Sequence, residues 1–240
     1  MQYDFMLGYD YAFYQTRGIR LPLSAPLGHL IVVGGSGSGK STALLYWLAK
    51  MKQANILLEL HVMDFKASGE FVGITETEHY AQFEQCYQKI CNFYGVFCGL
   101  PEGGDGFQRI LLIDEIVGLL TYYSMQKAEK AKAEKIKSIM SSLLMLGRSR
   151  KCFLWLSMQR YSATIFPASS GAADNFHICV GLGRLTVDSR RSLFAGEHNA
   201  DEEKLLFGQG NGIVLIDGKP LQTLLIPRVT KQKLLHILRD

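Results

Sequence analysis

At 240 residues the chain has room for one α/β domain and not for two full domains with a linker. Hydrophobic content of 48% and charged content of 20% are ordinary for a globular domain, which excludes disordered, collagen-like and coiled-coil classes. A formal charge of +4 gives a slight lean toward anionic partners, no apolar run reaches the roughly 18 residues of a membrane-spanning helix, and Met1 to Leu7 carries Asp4 instead of a basic leader, so the chain is expected to stay in the cytoplasm.

Residues 1–28 contain two turn-like clusters, Thr16-Arg17-Gly18 and Pro22 to Gly28, and read as a hairpin or lead-in before a domain over 29–240. The pattern then becomes α/β. His29 to Val33 is a short apolar run ending in glycines, and Thr42 to Met51 has Leu44, Leu45 and Leu48 at helical spacing. Asn55 to Phe65 predicts a strand, Glu78 to Phe97 a helix, and Arg109 to Ile113 a buried strand followed by another helix. Ile136, Ile139, Met140, Leu143 and Leu144 mark one face of a helix that Gly147 is placed to cap. The lysines of Gln126 to Lys137 fit a solvated helix face better than a DNA-binding patch. Cys152 to Ser157 and His177 to Gly181 predict strands, Gly212 to Ile216 and Leu221 to Ile226 flank the hairpin turn Asp217-Gly218, and Lys231 to Arg239 closes as a helix. Strands alternating with helices predict a mainly parallel sheet with helices on both faces. The five cysteines, at 86, 91, 98, 152 and 179, form no CxxC pair and read as free thiols; Cys86, Cys91 and Cys98 with His79 match no common metal-site spacing.

Two motifs carry chemistry. Gly34-Gly35-Ser36-Gly37-Ser38-Gly39-Lys40-Ser41 fits GxxxxGK[ST], directly after a strand and before a helix that begins with Thr42. Glycines let backbone N–H groups curl around phosphate oxygens, Lys40 is placed for the β- and γ-phosphates of ATP, and the Ser41 hydroxyl for Mg²⁺. The second motif, Ile110-Leu111-Leu112-Ile113-Asp114-Glu115, is an apolar strand whose end opens at the carboxyl edge of the sheet, where ligands of open α/β sheets bind. Asp114 is the candidate Mg²⁺ carboxylate and Glu115 the candidate that polarises the attacking water; the alternative is a plain helix N-cap. Gln159, at the end of the strand that starts at Cys152, is either a γ-phosphate sensor or a loop glutamine.

With these residues in place the chain resembles the motor domain of the FtsK/SpoIIIE family of DNA translocases, within the FtsK and HerA group of ATPases. The likeness runs from Gly8-Tyr9-Asp10 and Gly28-His29-Leu30, where Gly28 stands at a family proline, through Asp64-Phe65-Lys66 and Ile113-Asp114-Glu115, to Leu205-Leu206 with Gly208-Gln209-Gly210-Asn211. Gly147-Arg148 to Gln159-Arg160 is similar to the segment running from the family's arginine finger to its Gln-Arg, and Asp188-Ser189-Arg190 to its DNA-facing loop, with Thr186 at a basic position and Arg184 two residues earlier. The resemblance implies a RecA-like fold, Arg148 as the finger, Gln159 as the sensor, and Arg160, Arg184 and Arg190 as DNA contacts. The residues alone leave Arg148 and Arg150 as helix-capping surface charges and Asp188 as an N-cap.

The expected activity is therefore ATP hydrolysis, with ATP and Mg²⁺ as cofactors. The resemblance implies coupling to DNA, double-stranded, in a homo-hexamer with no membrane insertion of its own. The alternatives are a packaging or conjugative coupling ATPase acting on single strands, and an ATP-dependent switch or small-molecule kinase with no nucleic-acid partner.

Overall fold

The computed structural model describes residues 3–167, 170–202 and 205–239. In chain order these give β1 (Asp4–Tyr9), α1 (Tyr11–Arg17), β2 (Pro22–Pro26), β3 (Leu30–Val33), α2 (Lys40–Gln53) and β4 (Leu58–Asp64). There follow β5 (Tyr80–Gln82), α3 (Gln85–Gly99), β6 (Gln108–Asp114), α4 (Ile116–Met125), α5 (Lys130–Leu146) and β7 (Cys152–Met158). The last elements are β8 (Ile178–Leu182), α6 (Val187–Leu193), β9 (Asn211–Ile216), β10 (Gln222–Leu225) and α7 (Lys231–Arg239). No helix among the described residues is long and apolar enough to cross a membrane.

Contacts divide the chain into two compact units. The first comprises Met1–Ile56, Gln159–Ser162 and His177–Asp240, with strands in the order β2-β1-β10-β9-β8-β3. Only β3 and β8 pair in parallel here, Leu30 opposite Ile178 through Val33 opposite Gly181. The remaining neighbours are antiparallel, including the β9–β10 hairpin turned at Asp217-Gly218. The segment read as a lead-in contributes β1 and β2, and β1 pairs with β10. Asp10 begins α1 by accepting from Phe13 N–H, and its carboxylate also accepts the Thr223 hydroxyl of β10 at 2.7 Å. α2 is anchored from within: Trp47 is fully buried and its indole N–H donates to Leu7 C=O at 2.8 Å.

The second unit, Leu57–Met158 with Ala163–Phe176, has the wholly parallel order β7-β6-β4-β5. All seven residues of β6 and all seven of β7 are buried, which is what a parallel strand covered on both faces requires. α4 and α5 pack together and against β7, and α3 packs on β4 and α5. One local expectation is corrected and another refined. The helix predicted from Glu78 starts at Gln85, because 77–82 instead form a short 3₁₀ turn and the edge strand β5. Gly147 is the C-cap of α5 as expected, its N–H donating to Leu143 C=O, but not in the left-handed conformation; its φ is −64°, the chain continues as a 3₁₀ turn over Gly147–Arg150, and Lys151 takes the left-handed conformation at φ 58°.

Candidate active site

Within the first unit, the loop between β3 and α2 holds the glycine-rich motif. Gly37 and Gly39 sit at φ 76° and 95°, which side chains rarely adopt, and a Cβ at Gly34 would come within 2.5 Å of Leu182 C=O and of Ser38 Oγ. These three glycines are therefore demanded by backbone shape and close approach. Gly39 stands at the N-cap of α2 with no side-chain cap and no acidic residue in the first turn, so the leading N–H groups face outward with a positive dipole end. Lys40 Nζ donates to the carbonyls of Gly34 and Gly35 at 2.7 and 3.1 Å, which folds it back over the loop it would serve. Ser38 Oγ is buried without a hydrogen-bond partner at the base of the same loop. An open loop of N–H donors, one lysine and the helix terminus fit the phosphates of a nucleotide.

Gly208 to Asn211 and the stretch after β10 complete this region. Gly210 N–H donates to Ser38 C=O at 2.9 Å and Ile226 N–H to Gly210 C=O at 2.7 Å. They border a cleft of about 470 Å³ beside Gly39 and Thr42, walled by Gln209, Gly210 and Ile226 to Thr230. Beyond Ile226, where the predicted strand ends, periodicity gave no hint of Pro227 to Thr230, since the segment lies between a strand and a helix and carries no motif.

Within the second unit, strand register assembles the acidic group. Asp64 lies opposite Asp114, and one residue beyond the pair Ile113–Leu156, Ser157 is Asp114's neighbour on β7. Both carboxylates are buried. Asp64 accepts from Ser68 N–H, Gly69 N–H and the Tyr80 hydroxyl, at 3.1, 3.2 and 2.9 Å. Burial pushes the Asp114 carboxyl up from its usual range, Asp64, Glu115 and Glu70 push it the same way, and the Ser157 hydroxyl partly offsets them. A buried carboxylate crowded by three others is suited to a divalent cation such as Mg²⁺, which would favour its ionised form. Glu115 occupies the left-handed region at φ 55° and ψ 52°, turning the chain sharply from β6 into α4, and Lys66 Nζ lies 2.6 Å from its Oε2. The pairing of Lys66 with Glu115 was not read from the sequence, because the two are 49 residues apart.

The remaining predicted residues divide between the units. Arg148 lies exposed in the turn after α5, beside the exposed Met145 and Leu146. Arg150, by contrast, donates to the C=O groups of Phe97 and Cys98, so it caps α3 and not α5. Gln159 and Arg160 follow β7 directly and are exposed. The segment is held by Tyr161 N–H donating to Ser189 Oγ at 3.2 Å, one residue from Arg190 on α6. The N-cap of α6 is Thr186, whose hydroxyl accepts from Ser189 N–H, and not Asp188. Arg184 is exposed, whereas Arg190 is half-buried and forked onto Glu202 with both contacts at 2.5 Å. The five cysteines are free thiols.

No protein-family model and no curated protein sequence matches the chain. Solved structures do. The cytoplasmic domain of the type VII secretion ATPase EccC from Thermomonospora curvata matches 98% of the chain with a TM-score of 0.67 at 16% identity. The pCW3 conjugation coupling protein TcpA, with ATPγS, matches 98% with a TM-score of 0.68 at 17% identity. The fold is that of a RecA-like P-loop ATPase domain. The genome packaging NTPase B204 of Sulfolobus turreted icosahedral virus 2 shares this ATPase fold over 85% of the chain, with a TM-score of 0.55 at 14% identity. The chain spans 30% of the EccC chain, 70% of TcpA and 98% of B204. The chain thus shares the fold of these ATPase domains.

Proposed function

We propose that the protein is an ATP-hydrolysing motor of FtsK/HerA type that moves DNA. The observation that carries this reading is the loop from Gly34 to Ser41, with its donors and Lys40 set at an uncapped helix N-terminus. Gly34 to Thr42 bind the phosphates, and the cleft walled by Gln209, Gly210 and Ile226 to Thr230 takes the base and ribose; its volume is within the usual range of ligand pockets. Ser41 would be a ligand of Mg²⁺, whose charge would offset that on the transferring phosphoryl group, and in the second unit Asp114 is the carboxylate suited to a divalent cation. Glu115 accepts the proton of the attacking water, and Gln159 senses the γ-phosphate. Arg148 acts from the neighbouring subunit of a ring, where a cation entering late in the cycle stabilises charge developing on the phosphoryl oxygens. Arg160 and Arg184 contact the DNA backbone, whereas Arg190, which the resemblance also sets there, is forked onto Glu202.

The deciding experiment is ATPase activity with and without double-stranded DNA, single-stranded DNA and no polymer. Stimulation by duplex DNA that disappears in Lys40→Ala supports the proposal. ATP turnover indifferent to both DNAs would leave an ATPase of this fold and reject the DNA motor, and preference for single strands would turn the reading toward a coupling or packaging ATPase.

A further inference from the structure

We propose that Glu59, His61 and His79 form a binding site for a divalent transition metal, zinc fitting best, remote from Asp64 and Asp114. Sheet geometry builds it. Glu59 and His61 are two residues apart on β4 and so project from the same face. On the edge strand, Tyr80 pairs with Val62, which brings His79 alongside His61, and the two imidazoles stack with centroids 4.0 Å apart and planes at 27°. His61 Nε2 lies 2.9 Å from Glu59 Oε1, and the three ligating atoms all fall within 4.8 Å of one another. Four ligands at zinc's usual bond lengths sit about 3.4 Å apart, so small side-chain rotations close the group around an ion. Glu76 and Glu78 form a second cluster sharing His79, which supplies a further carboxylate.

The surroundings suit a cation. Arg109 forks onto Glu59, but Asp105 engages the other side of that guanidinium at 2.6 and 2.9 Å, and Glu76 and Glu78 add two more negative charges. Arg109 therefore orients Glu59 as an outer partner, the role such groups play around metal ligands. Two imidazoles and carboxylates are the donor set zinc takes, whereas a site for Mg²⁺ would be built of oxygens. Glu59 is five residues from Asp64 along β4, roughly 16 Å, so the site is separate from the acidic group at the strand ends. Its effect is to pin the segment 65–79, which carries Lys66 and Ser68, to the strand it leaves.

The test uses the full chain, stripped with a chelator and free of nucleotide. Zinc titration followed by native mass spectrometry is expected to give one ion per chain and a raised unfolding temperature, and Co²⁺ a visible spectrum of tetrahedral nitrogen and oxygen ligation. His79→Ala and Glu59→Gln should each weaken binding about tenfold or more. His79 lies toward the surface, so its variant tests the site even where His61→Ala fails to fold. No binding by the wild type, equal binding by His79→Ala, or a near-ultraviolet thiolate-to-cobalt band placing the metal on Cys91 or Cys98 would each overturn the assignment.

Discussion

Lys66 and Glu115 are joined by an ion pair of 2.6 Å in which the carboxylate side is largely buried and the ammonium side is 44% exposed. The lysine enters from the turn after β4 and meets a glutamate held at φ 55° by the break between β6 and α4. Gly118 leaves room for the Glu115 side chain, since a Cβ there would come within 3.2 Å of Glu115 Cγ. The ion pair with Lys66 thus fixes where the carboxylate points.

Glu115→Gln is expected to bind ATP with unchanged affinity and to hydrolyse it about 10² to 10⁴ times more slowly, the range that a positioned general base contributes. Nucleotide binding by fluorescence and turnover by phosphate release check both halves. Lys66→Met is expected to lower kcat roughly ten- to a hundred-fold with KM for ATP unchanged, because it loosens the carboxylate without touching nucleotide. A rise in KM instead would place Lys66 on the nucleotide.

Asp114 gives a stability prediction whose sign follows from its raised carboxyl pKa. The folded state prefers the protonated group, so this residue costs stability as pH rises above the ordinary carboxyl value of about 4 and on through the raised one. In the absence of Mg²⁺, Asp114→Asn should melt higher than the wild type at neutral pH, by roughly 2–4 °C for each kcal/mol recovered. Well below pH 4, where the carboxyl is protonated in the folded and unfolded states alike, the difference should vanish. Melting curves at the two pH values check it. The same variant should lose Mg²⁺-dependent ATP turnover.

How much of this was legible beforehand follows from range along the chain. The glycine-rich loop between β3 and α2 and the strand end at Asp114-Glu115 were readable because each is a contiguous motif, and the apolar run Ile110 to Ile113 announced the burial of β6. The hairpin at Asp217-Gly218 was equally local. The antiparallel pairing of β1 with β10 was not readable, since it joins the two ends of the chain, and neither was the row Asp64, Asp114, Ser157, which only strand register creates. The start of α3 was misplaced because Thr77 to Gln82 carry no glycine or proline to mark the extra edge strand. Thr186, not Asp188, caps α6, a shift of two residues within a run where either side chain could serve.

Arg148 is expected to act in trans. Arg148→Ala and Glu115→Gln chains should each be nearly inactive alone and recover ATPase when mixed, because a hybrid interface pairs an intact Glu115 with an intact Arg148. Arginine fingers contribute about 10³ to 10⁵ in rate, so a small fraction of hybrid interfaces stands clear of either background. Mixed assemblies that form without recovery would remove Arg148 from catalysis.

The three arginines that the resemblance sets on the DNA path should not behave alike. Arg160 and Arg184 are exposed, so replacing either with alanine should weaken DNA binding about equally across sequences and lower the salt slope by roughly one unit, with basal ATPase and melting temperature retained. Arg190 is already committed: both its fork contacts go to Glu202, and Nη2 also donates to Glu197 C=O at 3.1 Å. Phosphate contact by Arg190 would have to compete with a charged, bidentate partner that is itself largely buried. Arg190→Ala leaves the Glu202 carboxylate without its cation and frees the segment after α6, so it should lower the melting temperature. Glu202→Gln separates the two roles: if Arg190 serves DNA, releasing it should strengthen binding and steepen the salt slope, and if it serves the fold, the variant should melt earlier with DNA affinity unchanged. Measuring melting and salt-dependent DNA binding on the same preparations distinguishes them, and the geometry favours the second outcome.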